Sequence, residues 1–514
     1  MLAKLYSAAI QGIEARTVTI EVNCTQGIQF CMVGLPDAAV KESHQRIISA
    51  LNQTELKYPH RKTIVNLAPA DIKKEGTAYD LPIALGILAA AGSIKSSGTE
   101  NYMIMGELSL DGSIRPIKGA LPITIKAKEE NFKGIILPEE NAPEAGIVQG
   151  IDVYGASNIK EVAEFFNNNC SGLQQTRTDA EKEFGEHQYE YPFDFSEVKG
   201  QENVKRAAEV AAAGGHNIIM IGAPGSGKSM IAKRLPTILP PMTIDEALET
   251  TKIHSVAGKL TQNSSLISQR PFRAPHHTIS SVALVGGGTY PQPGEISLAH
   301  NGVLFLDELP EFSRHVLEVM RQPLEDRKIT ISRSKSSITY PAGIMLVASM
   351  NPCPCGYYNH PTKECICSEG AVAKYLGRIS GPLLDRIDIQ IEVVPVAFEK
   401  LADKKPGETS AEIRRRVIAA RQRQTFRFAD EPGIYCNAQM TPKMIARYAT
   451  PDATGIKLLK DAMERFSLSA RAYDRILKVA RTIADLAGRE EILPEDLREA
   501  ITYRNLDRTS WGSR

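Results

Sequence analysis

The sequence predicts an α/β protein of two or three domains, and three observations carry that expectation. Apolar, strand-like runs alternate with helical stretches from residue 198 to about 396, the βαβ rhythm of a parallel sheet. Residues 1 to about 168 mix alternating strands and helices in a pattern of their own, and beyond residue 398 the periodicity turns helical. The length, 514 residues, also exceeds the size at which a single core stops growing.

In chain order, the first region reads as an α/β domain over residues 1–168, with strands over 17–22, 63–67 and 102–105. Its opening residues include Glu14 and Arg16, where a signal peptide requires an unbroken apolar stretch. The longest apolar run, residues 81–92, is too short to cross a bilayer, so the expectation is a cytoplasmic protein with no membrane partner. Residues 169–195 are polar, charged and weakly periodic, as a linker would be. The parallel-sheet pattern fills 196–396, and 397–514 carries helical segments such as AEIRRRVIAARQRQ and ARAYDRILKVARTIADL.

With 61 basic against 60 acidic residues the net charge is +1, so any basic surface must be local. Eight cysteines, four of them between residues 353 and 367, suit reduced thiols or a metal site and not a secreted disulfide framework.

The sharpest motif is GAPGSGKS, comprising Gly222, Ala223, Pro224, Gly225, Ser226, Gly227, Lys228 and Ser229. It matches G-x-x-x-x-G-K-[ST], follows an apolar strand and opens a helix, which is the context an ATP-binding P-loop requires. Glycines let backbone N–H groups turn inward around the phosphates, Lys228 adds positive charge near the γ-phosphate, and the Ser229 hydroxyl is placed to hold Mg²⁺. A second motif, GVLFLDE over residues 302–308, is an apolar strand ending in Asp307 and Glu308. Beside a P-loop, Asp307 would orient Mg²⁺ and Glu308 would polarise the attacking water.

Further segments carry a resemblance. Asn351, closing a strand over 344–350, looks like the sensor 1 residue of AAA+ ATPases. GPLLDRID, residues 381–388, resembles the arginine-finger segment of the magnesium-chelatase and MCM branch, with Arg386 as the candidate finger and Arg378 in KYLGRIS as the alternative. LSARAYDR, residues 468–475, places Arg471 as sensor 2 of a helical lid. The run RPFRAPHHTISSVALVGGGTYPQPGEISLAHNG resembles the helix-2 insert of the same branch. An isolated arginine is as readily a salt-bridge partner, and the order of these segments favours the functional reading. The resemblance implies a P-loop AAA+ α/β core of the helix-2-insert branch, a C-terminal helical lid, and a homo-hexameric ring in which the finger acts on a neighbour's ATP.

The first region resembles the Lon protease domain, an α+β fold of the ribosomal S5 domain 2 type. KEGTAYDLPIAL, residues 74–85, looks like the segment of the nucleophilic serine, and GELSLDGSIRPIKGALP, residues 106–122, like that of the catalytic lysine. Here those places hold Ala78 and Leu121, neither of which can act as nucleophile or base. A degenerate Lon-like domain before a chelatase-type AAA+ module is the arrangement of the ComM/YifB family of bacterial competence-linked ATPases, and GLPDAAVKES and NPCPCG strengthen the match. The resemblance implies helicase and branch-migration activity on single-stranded or branched DNA during natural transformation, with recombination proteins as candidate partners. Competing readings are a chelatase-like subunit that remodels a protein partner, which would lack the Lon-like domain, and an ATP-dependent protease, against which Ala78 and Leu121 argue.

Two local features remain. Cys353, Cys355, Cys365 and Cys367 form C-x-C-x₉-C-x-C, a set whose thiolates could close a tetrahedral Zn²⁺ site, with His360 as a substitute ligand; reduced thiols in a Pro- and Gly-rich turn are the alternative. Residues 328–332 and 337–340 alternate like paired strands, with Arg333, Ser334 and Lys335 at the turn. This resembles the pre-sensor 1 hairpin that projects into the pore of related helicases, where such charges would contact phosphates without reading sequence. An ordinary solvated hairpin is the alternative. Arg270, Arg273 and His276 are the next DNA-binding candidates.

Overall fold

The computed structural model describes residues 1–260, 265–288, 291–333, 336–358, 360, 362–396, 407–466 and 468–504. They divide into two compact units, residues 1–187 with 244–268, and residues 188–243 with 269–514.

The first unit is built on strands β1 (Leu2–Gln11), β2 (Glu14–Thr25), β3 (Phe30–Val33), β4 (Lys62–Ala68) and β5 (Tyr102–Ile104). A short ribbon of β6 (Glu107–Leu108) and β7 (Ile114–Arg115) precedes β8 (Gly134–Pro138), β9 (Asp152–Ala156) and β10 (Gln175–Thr176). Eight of these form one mixed sheet in the order β10-β9-β8-β5-β1-β2-β4-β3. Alternation drives the pairing: Val18, Ile20 and Val22 of β2 all face the core while the residues between them do not. The helix Asp80–Ala91, DLPIALGILAAA, is apolar on every side and buried almost throughout, as such a composition requires. Its buried Asp80 accepts paired bonds of 2.7 and 2.9 Å from Arg46. Arg46 lies on the helix Ala38–Gln53, which Asp37 caps at 2.8 Å.

Two features of this unit depart from the limits read in the sequence. Within the stretch read as a linker, β10 pairs antiparallel with β9 and extends the sheet. Residues 244–268, which follow the P-loop in the chain, also belong here. The helix Ile244–Ala257 places the Ser255 hydroxyl on buried Glu144, and the Ser255 carbonyl accepts from Gly119 at 3.2 Å. Contacts between residues so far apart in sequence leave no mark on local periodicity.

The second unit contains β11 (Ile218–Ile221), β12 (Phe272–Arg273), the ribbon β13 (Gly286–Gly287) with β14 (Gln292–Pro293), and β15 (Val303–Leu306). The ribbon β16 (Lys328–Arg333) with β17 (Ser336–Pro341) precedes β18 (Met345–Met350) and β19 (Ile389–Glu392). Five strands make an all-parallel sheet in the order β12-β15-β18-β11-β19. Covered on both faces, the inner strands read as apolar runs, IIMI, VLFL and MLVASM, broken only by Ser349. The C-terminal helices share this core, with Ile413, Val417, Ile476, Val479 and Ile483 packed among Val204, Val210 and the strands. No described helix is long and apolar enough to cross a membrane.

Candidate active site

Because the second unit's strands are parallel, their carboxyl ends share one edge, where an open α/β sheet offers a ligand crevice. The chain leaves β11 there as the P-loop and enters the helix Lys228–Ile238. Gly225 and Gly227 take φ of +76° and +94°, a region costly to any side chain, and this turns the loop back on itself. Gly222 is held closely: an added Cβ would stand 2.4 Å from the Val393 carbonyl.

Three strands deliver the chemistry to this edge. Lys228 Nζ, after β11, donates to the Gly222 and Ala223 carbonyls at 2.6 and 3.0 Å and to Asn351 Oδ1, after β18, at 3.2 Å. Burial lowers the Lys228 pKa, while the negative charges of Asp307 and Glu308 oppose that shift. Asp307, after β15, accepts from the Ser229 hydroxyl at 2.8 Å and from the hydroxyl of buried Ser349. Glu308 sits at φ +54°, a left-handed conformation uncommon outside glycine and costing about 1 kcal/mol or more, the kind of local strain that collects at functional sites. Its carboxylate lies 3.8 Å from His277 Nδ1. The structure thus brings together Lys228, Ser229, Asp307, Glu308 and Asn351 as a single cluster.

Arg386 and Arg471 lie elsewhere. Arg386 precedes β19, at the amino end of the sheet, where its backbone carbonyl accepts from Asn217 Nδ2 at 2.8 Å. The intervening strand β11 has 4 residues, which at about 3.3 Å each puts roughly 13 Å between this end and the P-loop. The Arg386 side chain pairs with Glu325 and donates to the Pro382 carbonyl at 2.7 Å. Arg471 opens the helix Ala470–Leu486 and pairs with Asp385 at 3.2 Å, one residue from Arg386. Arg378 pairs with Glu311 at 3.0 Å, on the turn that follows Glu308.

Of the DNA-binding candidates, Arg270 donates to the carbonyls of Pro240, Asn301 and Pro241, and Arg273 pairs with Glu295 at 2.6 and 2.8 Å. Both guanidinium groups are thereby engaged within the fold. His276 is exposed, 2.9 Å from the Thr278 hydroxyl. The strands β16 and β17 pair with Arg333 opposite Ser336, while Ser334, Lys335 and the Arg333 side chain lie outside the described residues.

The four clustered cysteines converge, all sulfurs within 4.8 Å of one another. His360 Nδ1 accepts from the backbone of Thr362 and Lys363 at 3.2 and 3.1 Å, so that nitrogen serves the turn.

Sequence reading missed several contributors. Ser349 is polar in an otherwise apolar strand, a signal that was available. Gln201 bonds the Ser226 and Val394 carbonyls at 2.8 and 3.1 Å, and His277 reaches Glu308; neither has a local mark. Asn217 ties the amino ends of β11, β18 and β19 through Leu346, Asp388 and Ile389.

Comparison with known proteins fits this geometry. Residues 194–401 match the family model for magnesium chelatase, subunit ChlI; residues 20–141 match subunit ChlI of Mg-chelatase, and 407–504 its C-terminal part. Competence protein ComM of Haemophilus influenzae is 43% identical over 514 residues, 99% of this chain and 98% of that one. The chain belongs to the ComM/YifB family. The uncharacterized YifB of Escherichia coli is 41% identical over 99% of this chain and 98% of its own. Outside the ComM/YifB family, the magnesium-chelatase 38 kDa subunit of Rhodobacter capsulatus is 26% identical over 31% of this chain. A Mg-chelatase-like AAA+ family implies ATP and Mg²⁺, and the residues fit both. The Ser229 hydroxyl and Asp307 carboxylate, 2.8 Å apart, are the hard oxygen donors that Mg²⁺ prefers.

Proposed function

We propose that this protein is an ATP-driven, homo-hexameric DNA motor of the ComM type, acting in the cytoplasm on single-stranded or branched DNA in helicase or branch-migration reactions of natural transformation and recombination. The observation that carries the reading is the separation of Lys228, Asp307, Glu308 and Asn351 from Arg386 and Arg471 along one sheet. Lys228 binds the phosphates, Ser229 and Asp307 would hold Mg²⁺, Glu308 polarises the attacking water, and Asn351 helps position that water. Bound Mg²⁺ would supply positive charge to offset that of the phosphates. Arg386, with Arg471 beside it, completes the site of a neighbouring subunit in a ring. The first unit serves assembly or binding as a non-proteolytic Lon-like domain, supported by Ala78 and Leu121 at the places of nucleophile and base. Recombination proteins are the partners such a motor would meet.

A second reading draws support from the chelatase family matches: a ring that remodels a protein partner. ATPase activity measured with and without single-stranded and branched DNA separates the two. A motor turns over faster with DNA, whereas unchanged turnover with every DNA tested sinks the motor reading.

A further inference from the structure

Residues 352–367 separate Asn351 from the Ser368-capped helix Glu369–Leu376, and those of them that are described form no helix or strand. A connection of that length without secondary structure of its own is uncommon outside functional or disordered segments. Two contacts lock this one to the ATP site. Its first neighbour, Asn351, accepts from Lys228 Nζ at 3.2 Å. Gly356 packs on the P-loop so tightly that a Cβ there would stand 2.5 Å from Pro224 Cδ. Between and beyond these contacts lie the clustered sulfurs. Cys353 to Cys355 is 3.3 Å, and Cys365 is 3.6 Å from each. Cys367 completes a group with every sulfur within 4.8 Å of the others.

These separations match a single tetrahedrally bound ion. A tetrahedral ion with Zn–S near 2.3 Å spaces its sulfurs at about 3.8 Å, whereas a disulfide requires about 2.05 Å. A two-iron cluster would divide the thiolates into two separated pairs, which four mutually adjacent sulfurs do not provide. Buried Cys353 closes the inner side, and four thiolates leave no open coordination position.

We infer that Cys353, Cys355, Cys365 and Cys367 bind one structural Zn²⁺ that clamps the segment from Asn351 to Gly356 against the P-loop. The ion takes no part in chemistry. It substitutes for a core where the loop has none, and its removal releases Asn351 and Pro224 from a fixed mutual position. The link to turnover rests on the ATPase reading above, while the metal and the clamp do not.

The test uses the full-length chain, expressed without a histidine tag. Metal analysis should find about one zinc per chain, and cobalt substitution should give the intense visible bands of a tetrahedral four-thiolate site. A Cys365→Ser/Cys367→Ser chain should lose the metal. Stripping zinc with a chelator should raise amide hydrogen exchange across residues 351–357 and in the P-loop together, and slow ATP turnover by up to roughly a hundredfold through misplacement. Zinc restores both. A metal content near zero with all four thiols reactive, or bound iron in its place, overturns the site. Zinc whose removal leaves P-loop exchange unchanged overturns the clamp. A zinc-loaded chain with the expected exchange but no turnover would instead count against the ATPase reading alone.

Discussion

The two ends of the second unit's parallel sheet make an instructive pair. At the carboxyl end, Lys228 bonds Asn351 and Ser229 bonds Asp307, all from one chain. At the amino end, the largely buried Arg386 side chain is paired with exposed Glu325, and exposed Arg471 with half-buried Asp385. Yet the backbone beneath them is fixed. Asp388 is buried between Arg475 at 2.9 Å and the Asn217 amide at 3.1 Å, and Asn217 in turn holds the Arg386 carbonyl. Each of these ion pairs has one exposed member, Glu325 or Arg471, on a backbone mount that is fixed. On the proposed reading, the two ends are complementary halves of a site, separated by the four residues of β11.

The largest effect that would break this comparison is at the arginine end. Arg386→Ala should lower ATP turnover by about 10³-fold or more, the range of an arginine finger. Mixing that variant with Lys228→Ala chains should restore part of the activity, because an interface pairing the intact Arg386 of one chain with the intact P-loop of the other is whole again. Failure to recover any turnover in the mixture would argue that Arg386 acts within its own chain or not at all. At the other end, Glu308→Gln should slow turnover by about 10²- to 10⁴-fold. Equilibrium titration with a fluorescent ATP analogue should show nucleotide affinity retained, and mixing with Arg386→Ala chains should again rescue in part.

The carboxyl end was legible in the sequence and the amino end only partly so. GAPGSGKS and the run ending Asp307-Glu308 carry their geometry in spacing, since a P-loop needs a strand before it and a helix after it. The apolar runs of β11, β15 and β18 are marked by composition alone. What escaped was anything made by long-range contact. The placement of 244–268 depends on Ser255 meeting Glu144. Asn217 joins strands more than a hundred residues apart. Arg270 looks like a phosphate ligand in RPFRAP until its guanidinium is seen to bond three carbonyls. The cysteine spacing suggested a metal, whereas the packing of Gly356 on Pro224 had no sequence signature.

A smaller effect tests the mount itself. Burial pushes the Asp388 carboxyl up, but Arg475, His216 and Lys478 around it hold the group well below the usual carboxylate range. Burial lowers the pKa of His216, whose Nδ1 lies 3.4 Å from Asp388, and favours its neutral form. Asp388→Asn should destabilise the second unit by about 3 kcal/mol, the cost of leaving a buried partner uncompensated. The signs for pH follow from linkage. Both groups are depressed in the folded state, so each adds stability above its unfolded value and loses it on acidification. Thermal melts of the wild-type chain should fall as pH drops below about 6.5, through His216, and again below about 4, through Asp388. The gap between wild type and Asp388→Asn should narrow only in the lower step. A gap that stays constant down to pH 3 or so would mean Asp388 is not the depressed group.

The smallest expected effect concerns the hairpin β16–β17. If the ring grips DNA through this ribbon, the contacts are between cations and phosphates, so their strength comes from counterion release and carries no sequence preference. The strand pairing ends with Arg333 opposite Ser336. Arg270 and Arg273 are engaged by carbonyls and by Glu295, and this leaves the hairpin as the better basic candidate of the second unit. Arg333→Ala combined with Lys335→Ala should weaken binding equally for unrelated DNA sequences and lower the slope of log affinity against log salt by about one for each phosphate no longer neutralised. ATP turnover without DNA should be unchanged, since neither residue belongs to the cluster at the carboxyl ends of β11, β15 and β18. Fluorescence anisotropy over a salt series reads both quantities at once. An unaltered slope and affinity would detach DNA from the hairpin and leave the ribbon as a solvated turn. A weakening confined to particular sequences would point to base contacts, which a ring that moves along DNA must avoid.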